Sequence, residues 1–103
     1  MIIYIDIDDT ICTLDEPMNY ESARPIELAI SKVNLLYSEG HEIHFWTARG
    51  TLSGKDWRHL TESQLSSWGV NYHTLNFGKP AYDLFIDDKN INSRDWLSDK
   101  VKY

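Results

Sequence analysis

A chain of 103 residues, 42% of them hydrophobic, has the length for one core and not for two. A formal net charge of −6 leaves no general surplus of Lys and Arg to neutralise phosphates, which argues against a nucleic-acid binder while leaving a local basic patch open. The lone Cys12 excludes an intrachain disulfide, the opening residues carry no basic leader, and no run of about eighteen apolar residues exists, so a soluble cytoplasmic protein with no membrane partner is expected.

Residues 1–7 are apolar on both alternating faces up to Asp6, as a buried strand of a parallel sheet requires. Residues 11–24 hold no period and are interrupted by Pro17, Asn19 and Ser22, which reads as a loop or small flap. Pro25 suits a first helical position, Ile26, Ile30, Val33 and Tyr37 recur at helical spacing, and Gly40 ends the run. Residues 42–47 alternate before Phe45 and Trp46, predicting a second strand that ends at Thr47-Ala48-Arg49-Gly50. Trp57, Thr61, Leu65 and Trp68 share one face of a second helix over residues 55–68, stopped by Gly69. A third strand is expected at residues 70–75 and a turn at Gly78-Lys79-Pro80. A fourth strand follows at residues 82–86 with Asp87-Asp88 at its carboxyl end, then a short helix at residues 93–97. Strands alternating with helices imply right-handed crossovers: a three-layer α/β/α, Rossmann-like sandwich, mainly parallel, forming one domain over residues 1–103.

Ligands of open α/β sheets bind beyond the carboxyl ends of the strands, and the polar clusters fall there. Asp6 and Asp8 end the first strand, Thr47 ends the second, Lys79 precedes the fourth, and Asp87 with Asp88 ends it. Carboxylates gathered at one edge repel by roughly 4 kcal/mol per pair at ~4 Å and an effective dielectric of 20, so a cation is the natural remedy. Oxygen ligands favour Mg²⁺.

The run Asp6-Ile7-Asp8-Asp9-Thr10 after an apolar strand resembles the DxDxT first motif of the haloacid dehalogenase superfamily. Thr47, Lys79 and Asp87-Asp88 follow in the order of its remaining motifs, so the resemblance spans nearly the whole chain. It implies a Mg²⁺-dependent phosphatase in which Asp6 is the nucleophile and forms an aspartyl phosphate, with Asp8 as general acid and then base. Thr47 and neighbouring backbone N–H groups around Ala48 would hold phosphate oxygens, and Lys79 would neutralise Asp6 and the phosphoryl group. Arg49 either reaches the substrate, braces its loop or stands solvated. The metal ligands implied are Asp6, the backbone carbonyl of Asp8, and Asp87 or Asp88. Asp9, Asp15 and Asp83 read as structural, Thr10 as a loop support, and His41, His44, His59 and His73 show no metal-ligand spacing.

Between the motifs no length remains for a cap domain, so the site either admits bulky substrates directly or is closed by flap residues 11–24 or a neighbouring subunit of a homo-oligomer. Lys79 to Asp88 and Thr47-Ala48-Arg49-Gly50 resemble small bacterial phosphatases of capsule or surface-polysaccharide synthesis, implying a phosphorylated sugar or polyol as substrate. A polynucleotide phosphatase is the enzymatic alternative, against which the charge of −6 weighs. A phosphorylatable receiver domain would place its acidic pair after the first strand and its phosphorylated Asp after the third, the reverse of the order here. A silent binding domain would lack a nucleophile or acid, and neither is missing.

Overall fold

The computed structural model describes residues 1–101. Its sheet is three parallel strands in the order β1-β4-β5: β1 at Ile2–Ile5, β4 at Glu42–Trp46 and β5 at Thr74–Asn76. Ile3 stands opposite Ile43 and Ile5 opposite Phe45, and Phe45 in turn faces Leu75. Because side chains alternate across a strand, this register places Ile5, Ile43, Phe45 and Leu75 on one buried face. Helix α1 at Glu27–Ser38 covers that core with Ala29, Ile30, Val33 and Leu36, and α2 at Arg58–Ser67 contributes Leu65. The final helix α3 at Ser93–Leu97 adds Trp96. Asn92 starts α3 by accepting the Arg94 N–H on its side chain.

The opposite face is a ring belt in which Tyr4 stacks on His44 at 5.0 Å and meets Trp46 edge-on at 6.4 Å. Ile2 and Tyr4 are exposed there, so β1 is open on one face where both faces were expected to be covered. The flap is more ordered than a loop. Cys12–Thr13 (β2) pairs antiparallel with Arg24–Pro25 (β3), and a 3-10 turn lies between them at Tyr20–Ser22. Pro25 therefore ends this ladder instead of opening α1, an edge position that suits a residue without an N–H.

The expected strand at residues 82–86 is absent from the sheet. Tyr82, Leu84, Phe85 and Ile86 are exposed, and residues 80–92 are exposed throughout. Among the described residues no helix is long and apolar enough to cross a membrane.

Candidate functional site

Asp6 follows β1 directly, and the chain then turns sharply. Thr10 and Ile11 both donate their N–H to the Ile7 carbonyl, and Asp9 takes a left-handed φ of 62°, a conformation that Asp tolerates. This turn sets Asp6 and Asp8 at the carboxyl edge of the sheet. Thr47 arrives at the same edge from β4, tied to β5 by its N–H on the Asn76 carbonyl at 3.0 Å. Lys79 arrives from the loop after β5, its N–H on the Thr47 carbonyl at 3.2 Å and its carbonyl accepting the Thr51 hydroxyl at 2.7 Å.

Lys79 Nζ stands 3.5 Å from Asp6 Oδ1. Burial pushes the Asp6 carboxyl above its ordinary range, and the Lys79 charge pulls it partly back. Thr47 is buried, 1% exposed, and its hydroxyl oxygen accepts the Arg49 N–H at 3.1 Å, closing the turn in which Ala48 is half-buried.

Arg49 is the most constrained side chain of the site. Its guanidinium is fully buried, and Nε and Nη2 donate to Asp8 Oδ2 and Oδ1 at 3.0 and 2.8 Å. Nη1 donates to Thr61 Oγ1 at 3.1 Å and to Gln64 Oε1 at 2.6 Å. The group lies 4.9 Å from the centre of the Tyr20 ring, and Gln64 Nε2 donates back to the Tyr20 carbonyl at 2.7 Å. A charge withdrawn from water needs this density of partners, since an ion left unpaired in the interior costs several kcal/mol. Cys12 Sγ is a further neighbour of Asp8, 3.4 Å from Oδ1.

Thus the structure brings Asp6, Asp8, Thr47, Ala48, Arg49 and Lys79 to one edge. It leaves Asp87 and Asp88 on the exposed segment. Among the described residues no group of three or more His, Cys, Asp or Glu side chains is placed to hold a metal ion. Sequence reasoning missed Tyr20, Gln64 and Cys12 as partners of the Asp8 pair. One signal was present for Gln64: Thr61 and Gln64 are polar at i, i+3 on the otherwise apolar inner face of α2.

Beside the site a cavity of about 170 Å³ is lined by residues that include Gly50, Lys55, Trp57 and Phe77. Lys55 Nζ lies 4.2 Å from the Trp57 ring centre and the Arg58 guanidinium 4.7 Å from that of Phe77.

No family model and no curated protein sequence matches the chain. Among solved structures it is similar to a structural-genomics target from Vibrio cholerae, with a TM-score of 0.81 and 22% identity over 94% of this chain and 87% of that one. It is also similar to chains in two structures of the Pnkp1/Rnl/Hen1 complex, one of them described as an RNA repair complex, with TM-scores of 0.60 and 0.61 and identities of 15% and 18%. The likeness covers 96% and 93% of this chain but 29% and 33% of those. At these identities what is shared is the fold, a small Rossmann-like α/β arrangement.

Proposed function

We propose that the chain is a phosphomonoester hydrolase of the haloacid dehalogenase type, with Asp6 as nucleophile and Asp8 as general acid and base. The observation that carries the reading is the Asp6–Lys79 pair at 3.5 Å, formed across two loops at the carboxyl edge of parallel strands. An oxygen of Asp6 forms a bond to phosphorus as the bond to the leaving oxygen breaks, and Asp8 gives that oxygen a proton. Water then attacks the aspartyl phosphate, releasing phosphate and Asp6, with Asp8 taking up the proton. Burial makes Asp6 more basic, and Lys79 balances charge on Asp6 and the phosphoryl group. The backbone N–H groups near Ala48 hold phosphate oxygens. Mg²⁺ belongs to the proposal: Asp6, the Asp8 carbonyl and Asp87 or Asp88 would hold it, and it would supply positive charge to the phosphate oxygens.

The substrate class is a phosphorylated sugar, polyol or related small metabolite, in keeping with the charge of −6. The RNA repair assembly named for one structural neighbour supports a second reading, a 3′-phosphorylated nucleic acid, with Trp57, Phe77, Lys55 and Arg58 as the wall a base would meet. Turnover of sugar, polyol, nucleotide and 3′-phosphorylated oligonucleotide substrates separates the two. Rapid-quench trapping tests the chemistry: wild type forms a phosphoenzyme and Asp6→Asn does not. A phosphoenzyme in Asp6→Asn, or turnover unaffected by that change, sinks the reading.

A further inference from the structure

We infer that Arg49 is a positioning residue that orients the Asp8 carboxylate and selects Oδ2 as the oxygen that handles the proton, an inference resting on the hydrolase reading above. Each carboxylate oxygen has two acceptor positions. On Oδ1 one is taken by Arg49 Nη2 at 2.8 Å, and the other faces Cys12 Sγ at 3.4 Å, whose single S–H is shared with the Ile7 carbonyl at 3.6 Å. On Oδ2 one is taken by Arg49 Nε at 3.0 Å, which leaves the second open among the described residues. The Asp8 side chain is 20% exposed while that of Arg49 is 0% exposed. A substrate therefore meets Asp8 and not the guanidinium behind it.

The guanidinium is itself fixed from three sides. Thr61 and Gln64 of α2 hold Nη1, the Tyr20 ring covers its face, and Gln64 ties the Tyr20 carbonyl of the flap to the same group. A planar fork held this way sets the plane of the carboxylate it pairs with, which a lysine ammonium at the same place does not do. Arg49 thus acts on the reaction through Asp8 alone.

The test compares kcat and KM on an alkyl and an aryl phosphate for wild type, Arg49→Lys, Gln64→Met, Asp8→Asn and the double variant Asp8→Asn/Arg49→Lys. An alkoxide leaving group needs the proton, worth typically ~10²–10⁴-fold, and an aryloxide needs little of it. Arg49→Lys is expected to lower kcat on the alkyl phosphate by about 100-fold and on the aryl phosphate by less than about 3-fold, with KM unchanged on both. Gln64→Met, which keeps the ion pair but removes both the acceptor of Nη1 and the donor to the Tyr20 carbonyl, gives the same split at about 10-fold and carries the test where Arg49→Lys does not fold. The double variant is expected to be no slower on the alkyl phosphate than Asp8→Asn, because the effect passes through Asp8. A damaged fold lowers both substrates alike, so equal losses overturn the inference. A KM raised about 10-fold on both substrates with kcat kept also overturns it, since Arg49 would then hold the phosphate. Wild-type protein with no turnover of either substrate overturns the hydrolase reading together with this one, whereas an active wild type with unsplit variants overturns this one alone.

Discussion

Cys12 shows how much the Arg49–Asp8 pair shapes its surroundings. The residue is fully buried, and burial first, then the Asp8 charge, push its thiol from 9.0 up to about 12. The folded chain therefore keeps a proton that the unfolded chain has lost. The thiol's contribution to stability is complete below about pH 9.0 and is lost as pH rises from there through about 12. Cys12→Ser removes the titration but keeps a small polar group. Urea unfolding of both proteins from pH 8 to 10.5 is expected to show wild type losing about 1.4 kcal/mol per pH unit relative to the variant above pH ~9. Parallel curves would remove the linkage. Gly50 is constrained in another way. Its φ is +84°, and an added Cβ would stand 2.2 Å from the Lys55 carbonyl oxygen, a backbone atom that cannot step aside. Gly54 has φ +74° and open space around the same position. Both alanine variants carry the left-handed cost of about 1–2 kcal/mol, and only Gly50→Ala adds the clash. Thermal or urea unfolding should thus rank Gly50→Ala below Gly54→Ala by at least about 1 kcal/mol. Equal losses would mean that the loop carrying Arg49 yields freely.

At the scale of elements, β4 and the segment at residues 81–91 make the sharpest contrast, since both are apolar runs ending in functional residue types. β4 lies between β1 and β5, and Ile43 and Phe45 are fully buried. The later segment is anchored at both ends near one edge of the sheet: the Lys79 N–H bonds the Thr47 carbonyl, and the Ser93 hydroxyl donates to the Asp9 carbonyl at 3.3 Å. A strand parallel to β1 has to begin at the far edge, roughly 13 Å away for about four residues of strand. Pro80 and Ala81 reach only about 7 Å. The segment is therefore held outside the sheet, with Leu84 and Ile86 at 74% and 87% exposure. Leu84→Ser and Ile86→Ser are each expected to change unfolding free energy by no more than about 0.5 kcal/mol, against a loss of about 3–5 kcal/mol for Phe45→Ala. Urea midpoints decide it. Losses of 2 kcal/mol or more at residues 84 and 86, on the order of a buried side chain, would place the segment in a packed strand.

Across the whole molecule, the radius of gyration of 13.2 Å matches the ~13 Å of a compact domain of about 100 residues. The proposed metal chemistry engages this scale, because Asp6 and Asp8 sit on the body while Asp87 and Asp88 sit on the segment. Turnover of an aryl phosphate is expected to vanish in EDTA and return with Mg²⁺, and Ca²⁺, with looser coordination, should restore it poorly. Amide exchange provides a readout independent of turnover. Residues 81–91 should exchange fast in EDTA and more slowly with Mg²⁺ and inorganic phosphate present, while β4 is unaffected. Full turnover in chelator, or exchange of the segment indifferent to Mg²⁺, would separate Asp87 and Asp88 from the chemistry.

Local chemistry decided what the sequence made legible. The apolar stretch before Asp6, the helical stripe of Ile30 and Val33, the Trp57-Thr61-Leu65-Trp68 face and the turn after Trp46 depend on periodicity and short-range sterics, and the structure has them. The strand-end rule likewise places Asp6, Asp8, Thr47 and Lys79 at one edge. Tertiary structure alone decided the rest. Nothing local separates Arg49 reaching for a ligand from Arg49 buried against Asp8, because its partners Asp8, Thr61, Gln64 and Tyr20 come from three other parts of the chain. Nor does the apolar run at residues 82–86 reveal whether it enters the sheet, since that depends on where Lys79 and Ser93 are anchored. Periodicity fixes which face of an element is apolar, while only closure of the chain in three dimensions fixes what that face and its end groups meet.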